Sequence, residues 1–144
     1  MKKLPKLTLL SVFLVAFTTS LVMAQEQVNS QCFVDFGGYS TCHWVQSSGG
    51  FTSVPKNMTL EVTSATFAYF PVGSGTLGRA DLAGRDSGGT AVWRTQIVYI
   101  EPQKTVHLTF PGGLRLEAGG IVEMGFISGG PGTILLSMQG QLRK

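Results

Sequence analysis

Glycine spacing constrains the fold of this chain more than any other sequence feature. The 19 glycines fall mostly in clusters after residue 24, and the runs between the clusters are short and rich in Val, Ile, Thr, Phe and Leu. After residue 24, no uninterrupted stretch places apolar residues at helical spacing. Short β-prone runs separated by glycine turns are typical of antiparallel sheets. We therefore predict an all-β fold, a single antiparallel β-sandwich or a jelly-roll-like domain.

A targeting pattern precedes this region. Three lysines lie ahead of an apolar run over residues 7–17, and Val22 and Ala24 place small residues at the −3 and −1 positions of a cleavage site. This order of basic, apolar and small residues is typical of a secretory signal peptide. We predict a signal peptide over 1–24 and an exported protein over 25–144, periplasmic, extracellular or on the cell surface, without membrane attachment after cleavage.

The charge of the predicted mature chain argues against two classes of partner. Three of the 11 basic residues lie in the signal peptide, so 11 − 3 = 8 basic side chains remain against 8 acidic ones. The formal net charge of +3 therefore belongs to the precursor. Binding to nucleic acid or to an anionic membrane needs an excess of positive charge on the folded domain. We therefore expect neither partner.

The two cysteines are predicted to form a disulfide. Cys32 and Cys42 both lie in the exported part, and a lone pair of cysteines in an oxidising compartment is typically bonded. A three-residue loop at the Gly37-Gly38 turn would place them opposite each other, whereas a two-residue loop would place Phe33 opposite Cys42. Residues 25–56 are thus read as an N-terminal segment with a hairpin and this bond. Residues 57–144 are read as the sandwich core, and 25–144 as one domain.

A three-stranded meander is predicted in the second half of the chain. Its strands are Ala91 to Ile100, Thr105 to Phe110 and Leu114 to Ala118, joined by turns at 101–104 and 111–113. One face of this meander would be apolar, and the other would be polar.

Further strands are predicted on either side of the meander. Residues 58–70 alternate with a change of phase at Thr63-Ser64, which indicates a bulge or two strands. Residues 121–127 and 133–142 are two more strands, which we expect in the second sheet. In the last strand, Ile134, Leu136 and Met138 are predicted to face inward.

The predicted polar face of the meander supplies most of the candidate binding residues. In that register His107 lies opposite Glu117, and the arginines beside them suit an acidic or sugar ligand. Aromatic rings in the glycine-rich N-terminal part would offer a surface for stacking against a sugar. The candidate binding residues are Arg94, His107, Arg115, Glu117, Trp44 and Tyr39.

Residues 77–90 are predicted to form a long contact loop. Within it, residues 84–89 (GRDSGG) resemble the nucleophile segment of chymotrypsin-like serine proteases, but Arg85 interrupts the family pattern. His43 also follows a cysteine, where the family's histidine precedes one. Asp81 and Asp86 in the same loop lack the ligand ladder that calcium sites use. We predict solvated loop charges and turn residues here, with no catalytic residues, no metal and no cofactor.

These observations favour a non-catalytic exported protein that binds a cell-surface component, a polymer such as a carbohydrate, or another protein. Two alternatives stay open. One is a structural subunit of a surface assembly, although the polar segment 25–31 is unlike a donor strand. The other is a small secreted hydrolase that uses His43 or His107, which would need a carboxylate or serine beside that histidine.

Overall fold

The computed structural model describes residues 25–73 and 76–144, and the predicted signal peptide lies outside them. Every regular element in these ranges is a β-strand, and no helix there is long and apolar enough to cross a membrane. The strands are β1 (Gln25–Asp35), β2 (Tyr39–Thr41), β3 (His43–Gln46), β4 (Gly49–Phe51), β5 (Thr59–Pro71), β6 (Gly78–Arg85), β7 (Ala91–Arg94), β8 (Val98–Ile100), β9 (Thr105–Leu116), β10 (Ile121–Ser128) and β11 (Gly132–Arg143).

The strands form two antiparallel sheets that pack face to face, which confirms the predicted all-β sandwich. The six-stranded sheet has the order β4-β3-β1-β11-β5-β9. The five-stranded sheet has the order β2-β10-β6-β7, and β8 also pairs with β6. Because β1 lies between β3 and β11, the N-terminal segment belongs to the same sandwich as the rest of the described chain.

One apolar core fills the space between the two sheets. The largest fully buried side chains are those of Trp44, Tyr69, Phe67 and Phe126. Alternate residues of each long strand point into this layer, as the burial of β1 and β11 illustrates. Full burial of one large apolar side chain contributes about 1.5–3 kcal/mol. The core therefore sets the register of every long strand.

The strands predicted over 58–70, 121–127 and 133–142 are confirmed as β5, β10 and β11. The change of phase at Thr63 is a bulge, since the pairing of β5 with β9 shifts between Val62 and Ser64. The side chains of Ile134, Leu136 and Met138 in β11 are buried, as predicted. The expectation that β10 and β11 share a sheet is wrong. β10 pairs with β2 and β6, whereas β11 pairs with β1 and β5.

The predicted meander is wrong in its pairing. Its first strand exists in two pieces, β7 and β8, but both pair with β6 in the five-stranded sheet. The faces of β8 are also reversed, because Val98 and Ile100 are buried while Tyr99 is exposed. The turn at 101–104 forms, and the Gln103 amide donates to the carbonyl oxygen of Tyr69 at 3.0 Å. This turn therefore carries the chain from one sheet to the other.

The second predicted hairpin is also wrong, because β9 runs straight through residues 111–113. Both halves of β9 pair with β5 in the same direction, and the extra residues form a bulge. Gly112 and Gly113 have φ values of 81° and 71°, a region that favours glycine. A Cβ at Gly113 would lie 2.1 Å from Cγ of Glu61. Gly112 and Gly113 therefore allow a bulge and a close packing contact with Glu61, and the chain does not reverse its direction here.

The predicted contact loop over 77–90 is mostly strand β6, at the centre of the five-stranded sheet. Its glycines make room for aromatic rings from neighbouring elements. A Cβ at Gly84 would lie 2.2 Å from the indole of Trp93, and one at Gly78 would lie 2.9 Å from the ring of Tyr69. From the sequence alone, these glycines indicate a loop. In the structure they are needed because a larger side chain would collide with the neighbouring rings.

The predicted disulfide between Cys32 and Cys42 is present, with the two Cα atoms 5.1 Å apart. The register of β1 with β3 pairs Gln31 with His43, and one further step places the two cysteines opposite each other. Between them the chain leaves the six-stranded sheet and forms β2 in the five-stranded one. The bond therefore closes the segment that links the two sheets at this side of the sandwich.

Candidate functional site

Tyr39 lies on the outer face of the five-stranded sheet and is 70% exposed. It pairs with Gly125 of β10, and its ring lies over that glycine. A Cβ at Gly125 would lie 2.8 Å from Cε1 of Tyr39 and 2.6 Å from Oδ1 of Asp81. Because Gly125 has no side chain, the exposed Tyr39 ring and the Asp81 carboxylate can approach each other above β10.

Asp81 and Arg94 form an ion pair beside this ring. The distance from Arg94 Nε to Asp81 Oδ2 is 2.6 Å. The Asp81 side chain is only 6% exposed although it lies on the outer face, whereas the Arg94 side chain is 56% exposed. Paired guanidinium and carboxylate groups hold each other in place through charge-assisted hydrogen bonds. The guanidinium thus retains N–H groups that point to solvent from a fixed position.

A second ion pair borders the same surface. Arg85 Nε donates to Oε2 of Glu123, and this hydrogen bond and the charge of Glu123 raise the pKa of the Arg85 guanidinium. Desolvation lowers it, and the charge of Asp81 raises it by a smaller amount. We call this surface the Tyr39 face. It comprises Tyr39, Asp81, Arg85, Arg94 and Glu123.

The Tyr39 face combines an apolar ring with fixed hydrogen-bonding groups of both kinds. A tyrosine ring presents a flat apolar surface, and its hydroxyl both donates and accepts. Carboxylates accept hydrogen bonds, and guanidinium groups donate them. This combination fits a ligand that has a hydrophobic face and many hydroxyl groups.

Two predicted binding residues, Tyr39 and Arg94, are brought together on this face, but Trp44 is not. Trp44 was expected to be exposed, and this is wrong because β3 pairs with β1 and turns the indole inward. Its side chain is fully buried and stacks on Phe51, with ring centroids 6.4 Å apart. Trp44 is therefore a core residue.

The predicted pairing of His107 with Glu117 is wrong, because it required the hairpin that β9 does not make. Thr66 Oγ1 lies 2.8 Å from His107 Nδ1, and Glu117 instead accepts a hydrogen bond from Thr59 Oγ1 at 3.0 Å. Arg115 lies on the outer face of the six-stranded sheet, with its Nε 3.5 Å from Oε2 of Glu61. The predicted face that combined Arg94 with these residues is therefore divided between two sheets.

Within the described residues, the side chains of both histidines form their hydrogen bonds with threonine hydroxyls. His43 Nδ1 lies 3.3 Å from Thr52 Oγ1, and His107 contacts Thr66 as described above. Asp86 closes the turn between β6 and β7, where its Oδ1 accepts hydrogen bonds from the amides of Gly88 and Thr90, both at 2.9 Å. The segment that resembles a protease nucleophile loop is thus a hydrogen-bonded turn.

A groove runs along the open side of the sandwich, between β9 and the segment 94–99. Its volume is about 540 Å³, and its walls are mostly apolar. Side chains of Ile97, Val106, Leu108, Phe110 and Leu114 line it. β9 is the edge strand of the six-stranded sheet, so its outer backbone groups have no neighbouring strand in that sheet.

Sequence reasoning missed three members of the Tyr39 face, namely Asp81, Arg85 and Glu123. Asp81 and Arg85 were read as loop charges, because glycines flank them. The signal that identifies them is the outward spacing of the charged residues of β6, which alternate with Ala80, Leu82 and Gly84. Across residues 25–73 and 76–144, no three His, Cys, Asp or Glu side chains converge on a position that could hold a metal ion.

Comparisons with known proteins add no assignment. No protein-family model matches the chain, and a search of curated proteins finds no significant match.

Proposed function

We propose that this chain is an exported, non-catalytic binding protein whose Tyr39 face holds a carbohydrate of a cell surface or extracellular polymer. The observation that carries the proposal is the exposed Tyr39 ring over Gly125, with the Asp81–Arg94 pair beside it. The disulfide supports the exported location, because such bonds persist in oxidising compartments.

The chemistry of sugars matches this arrangement in two respects. One side of a pyranose ring is lined by C–H groups, which stack on an aromatic ring and remove apolar surface from water. Its hydroxyl groups both donate and accept hydrogen bonds, so they can bridge a carboxylate and a guanidinium at once. Because each ion pair is already formed, little side-chain entropy would be lost when a ligand binds.

The test is a binding screen of the protein 25–144 on a glycan array and on envelope fractions of its host. We expect saturable binding that soluble glycan competes away. Tyr39→Ala should weaken it at least tenfold, and Arg94→Ala should weaken it as well. Phe70→Ala is the matched control, because this aromatic side chain is 53% exposed on the other sheet.

Equal binding by Tyr39→Ala and the unmodified protein would contradict the proposal. A measured hydrolysis that His43→Ala or His107→Ala abolishes, with the fold intact, would instead support the hydrolase alternative.

A second candidate function is that of a structural subunit in a surface assembly. The apolar groove beside the open edge of β9 favours it, because a strand from a neighbouring copy could pair with this edge and cover the groove. β1 is not available as that strand, since it is paired on both sides. Sedimentation velocity over a hundredfold range of concentration tests this candidate. A monomer throughout that range would count against it.

A further inference from the structure

A row of uncharged polar side chains crosses the outer face of the six-stranded sheet. Register pairs Gln31 with His43 on one side and with Ser137 on the other. Ser137 pairs with Thr66, and Thr66 pairs with His107. These five side chains come from β3, β1, β11, β5 and β9, and we call them the polar row.

A second line of polar residues lies beside the polar row. Asn29 pairs with Gln139, and Gln139 pairs with Ser64. Together the two lines border a depression of about 280 Å³ on the sheet face. The depression is lined by Asn29, Ser30, Gln31, Ser64, Thr66, His107, Ser137, Met138 and Gln139.

The lining of this depression is chemically different from the Tyr39 face. Apart from His107, the described residues that line it have no titratable side chain. Amide and hydroxyl groups supply both donors and acceptors, without the cations that a phosphate or carboxylate ligand would need. The matching ligand is an uncharged chain with many hydroxyl groups.

The polar groups of the depression are available for such a ligand. Among residues 25–73 and 76–144, no protein group forms a hydrogen bond with the side-chain amides of Asn29, Gln31 or Gln139. Thr66 holds the ring of His107 at 2.8 Å and so fixes one end of the polar row. Phe33 lies two residues along β1 from Gln31 on the same face and is 61% exposed, which adds a ring for stacking.

The dimensions favour an extended ligand. Neighbouring strands are about 4.8 Å apart, so the four steps of the polar row span about 19 Å. That length accommodates several sugar units in line. The rows run across the strands, so a polysaccharide lying in the depression would cross the sheet perpendicular to its strands.

We propose that the polar row is a second carbohydrate site, for an uncharged polysaccharide, and that the protein bridges two polymer chains. The proposal rests on the proposed function of the Tyr39 face. The two sites lie on the outer faces of two packed sheets, so they point in opposite directions. One ligand chain can therefore occupy each site at the same time, and binding at both connects the chains.

The experiment uses the protein 25–144 in native gels that contain either neutral glucomannan or acidic alginate. Three variants are compared with the unmodified protein: Gln31→Ala/Gln139→Ala, Tyr39→Ala and the control Val72→Ala, whose side chain is 76% exposed and lies beyond the end of β5. Circular dichroism and a thiol assay establish that each variant is folded and oxidised. Light scattering of solutions that contain the protein and the polysaccharides measures the bridging of polymer chains.

We expect glucomannan to retard the unmodified protein, and the Gln31→Ala/Gln139→Ala variant to lose this affinity at least tenfold. The polysaccharide that binds the Tyr39 face should still retard the Gln31→Ala/Gln139→Ala variant. It should no longer retard Tyr39→Ala. Scattering should rise only when both faces are intact.

Two results would overturn the proposal, and they are distinguishable. If Gln31→Ala/Gln139→Ala is retarded like the unmodified protein while Tyr39→Ala is not retarded at all, the polar row is no site and the proposed function stands. If neither polysaccharide retards the unmodified protein and the glycan array is also negative, the proposed function fails together with this inference.

Discussion

A methyl group at Gly84 would collide with the indole of Trp93. A Cβ there would lie 2.2 Å from Cε2 and 2.5 Å from Nε1 of that ring. The indole is held in position, because its Nε1 donates to the carbonyl oxygen of Arg115 at 3.0 Å in the opposite sheet. Gly84→Ala must therefore displace the ring, break this hydrogen bond or separate β6 from β7.

The magnitude follows from these contacts. Overpacking of this kind costs about 1–3 kcal/mol, and the lost hydrogen bond costs about 1 kcal/mol. Alanine also restricts the unfolded chain, which offsets the loss by about 0.4–1 kcal/mol. We expect Gly84→Ala to lower the free energy of unfolding by about 1–3 kcal/mol.

Urea unfolding followed by circular dichroism measures this change. The matched control is Gly88→Ala in the turn that follows β6, where a Cβ would meet only Asp86 Oδ1, at 3.3 Å. That control should stay within about 0.5 kcal/mol of the unmodified protein. Gly84→Ala should cost less in a Trp93→Phe background, since the smaller ring leaves room. A Gly84→Ala protein as stable as the unmodified one would refute the packing argument.

Three further outcomes are expected. Cys32→Ser/Cys42→Ser should lower the free energy of unfolding by roughly 3 kcal/mol. The bond itself would be contradicted if intact-mass measurement after alkylation of the native protein finds two free thiols. Leu136→Ala, in the core, should lower the free energy of unfolding in urea by about 2–5 kcal/mol, and Leu135→Ala, on the outer face, by about 1 kcal/mol or less. Equal losses would mean that the two faces of β11 are misassigned. Hydrogen bonds from Ser47 lower the pKa of Glu26 below its usual value of 4.5. The ionised Glu26 side chain therefore stabilises the fold above that pH. This stabilisation is lost as the pH falls through the pKa of Glu26 in the folded state. The stability difference between Glu26→Gln and the unmodified protein should therefore vanish in acid, and a difference that grows in acid would have the wrong sign.

The faces of the long strands are predictable from sequence, because one side of each strand is buried. Alternation alone places Ile134, Leu136 and Met138 of β11 inward, and the phase change at Thr63 locates the bulge of β5. These features depend on residues within one strand, where the period of two is unambiguous.

Strand partners are not predictable in the same way, because alternation identifies a buried face without identifying a neighbour. The turn at 101–104 has the sequence of a hairpin turn. In the structure it joins β8 of one sheet to β9 of the other, and it is held by a hydrogen bond from Gln103 to Tyr69, which is more than 30 residues away in the chain. Local sequence contains no information on that contact, so it is equally compatible with a hairpin that returns to the same sheet.

The candidate site was predicted in part for a related reason. Tyr39 and Arg94 were each singled out by residue type. Their meeting over Gly125 and Asp81 depends on the order of strands in the five-stranded sheet. Asp81 was missed because the glycines of β6 indicate a loop. Those glycines instead accommodate rings from Tyr69 and Trp93.

If the Tyr39 face binds the proposed carbohydrate, the position of the disulfide would couple ligand recognition to the oxidation state of the surroundings. Tyr39 belongs to a strand of only three residues, and that strand lies inside the ring that Cys32 and Cys42 close. In a chain without the bond, the tyrosine is held by the short pairing of β2 with β10 and by the flanking backbone hydrogen bonds of Gly38 and Cys42 to β10. On the proposed function, a chain without the bond would therefore recognise its ligand less tightly. On the same proposal, formation of the bond in an oxidising compartment would complete the binding face.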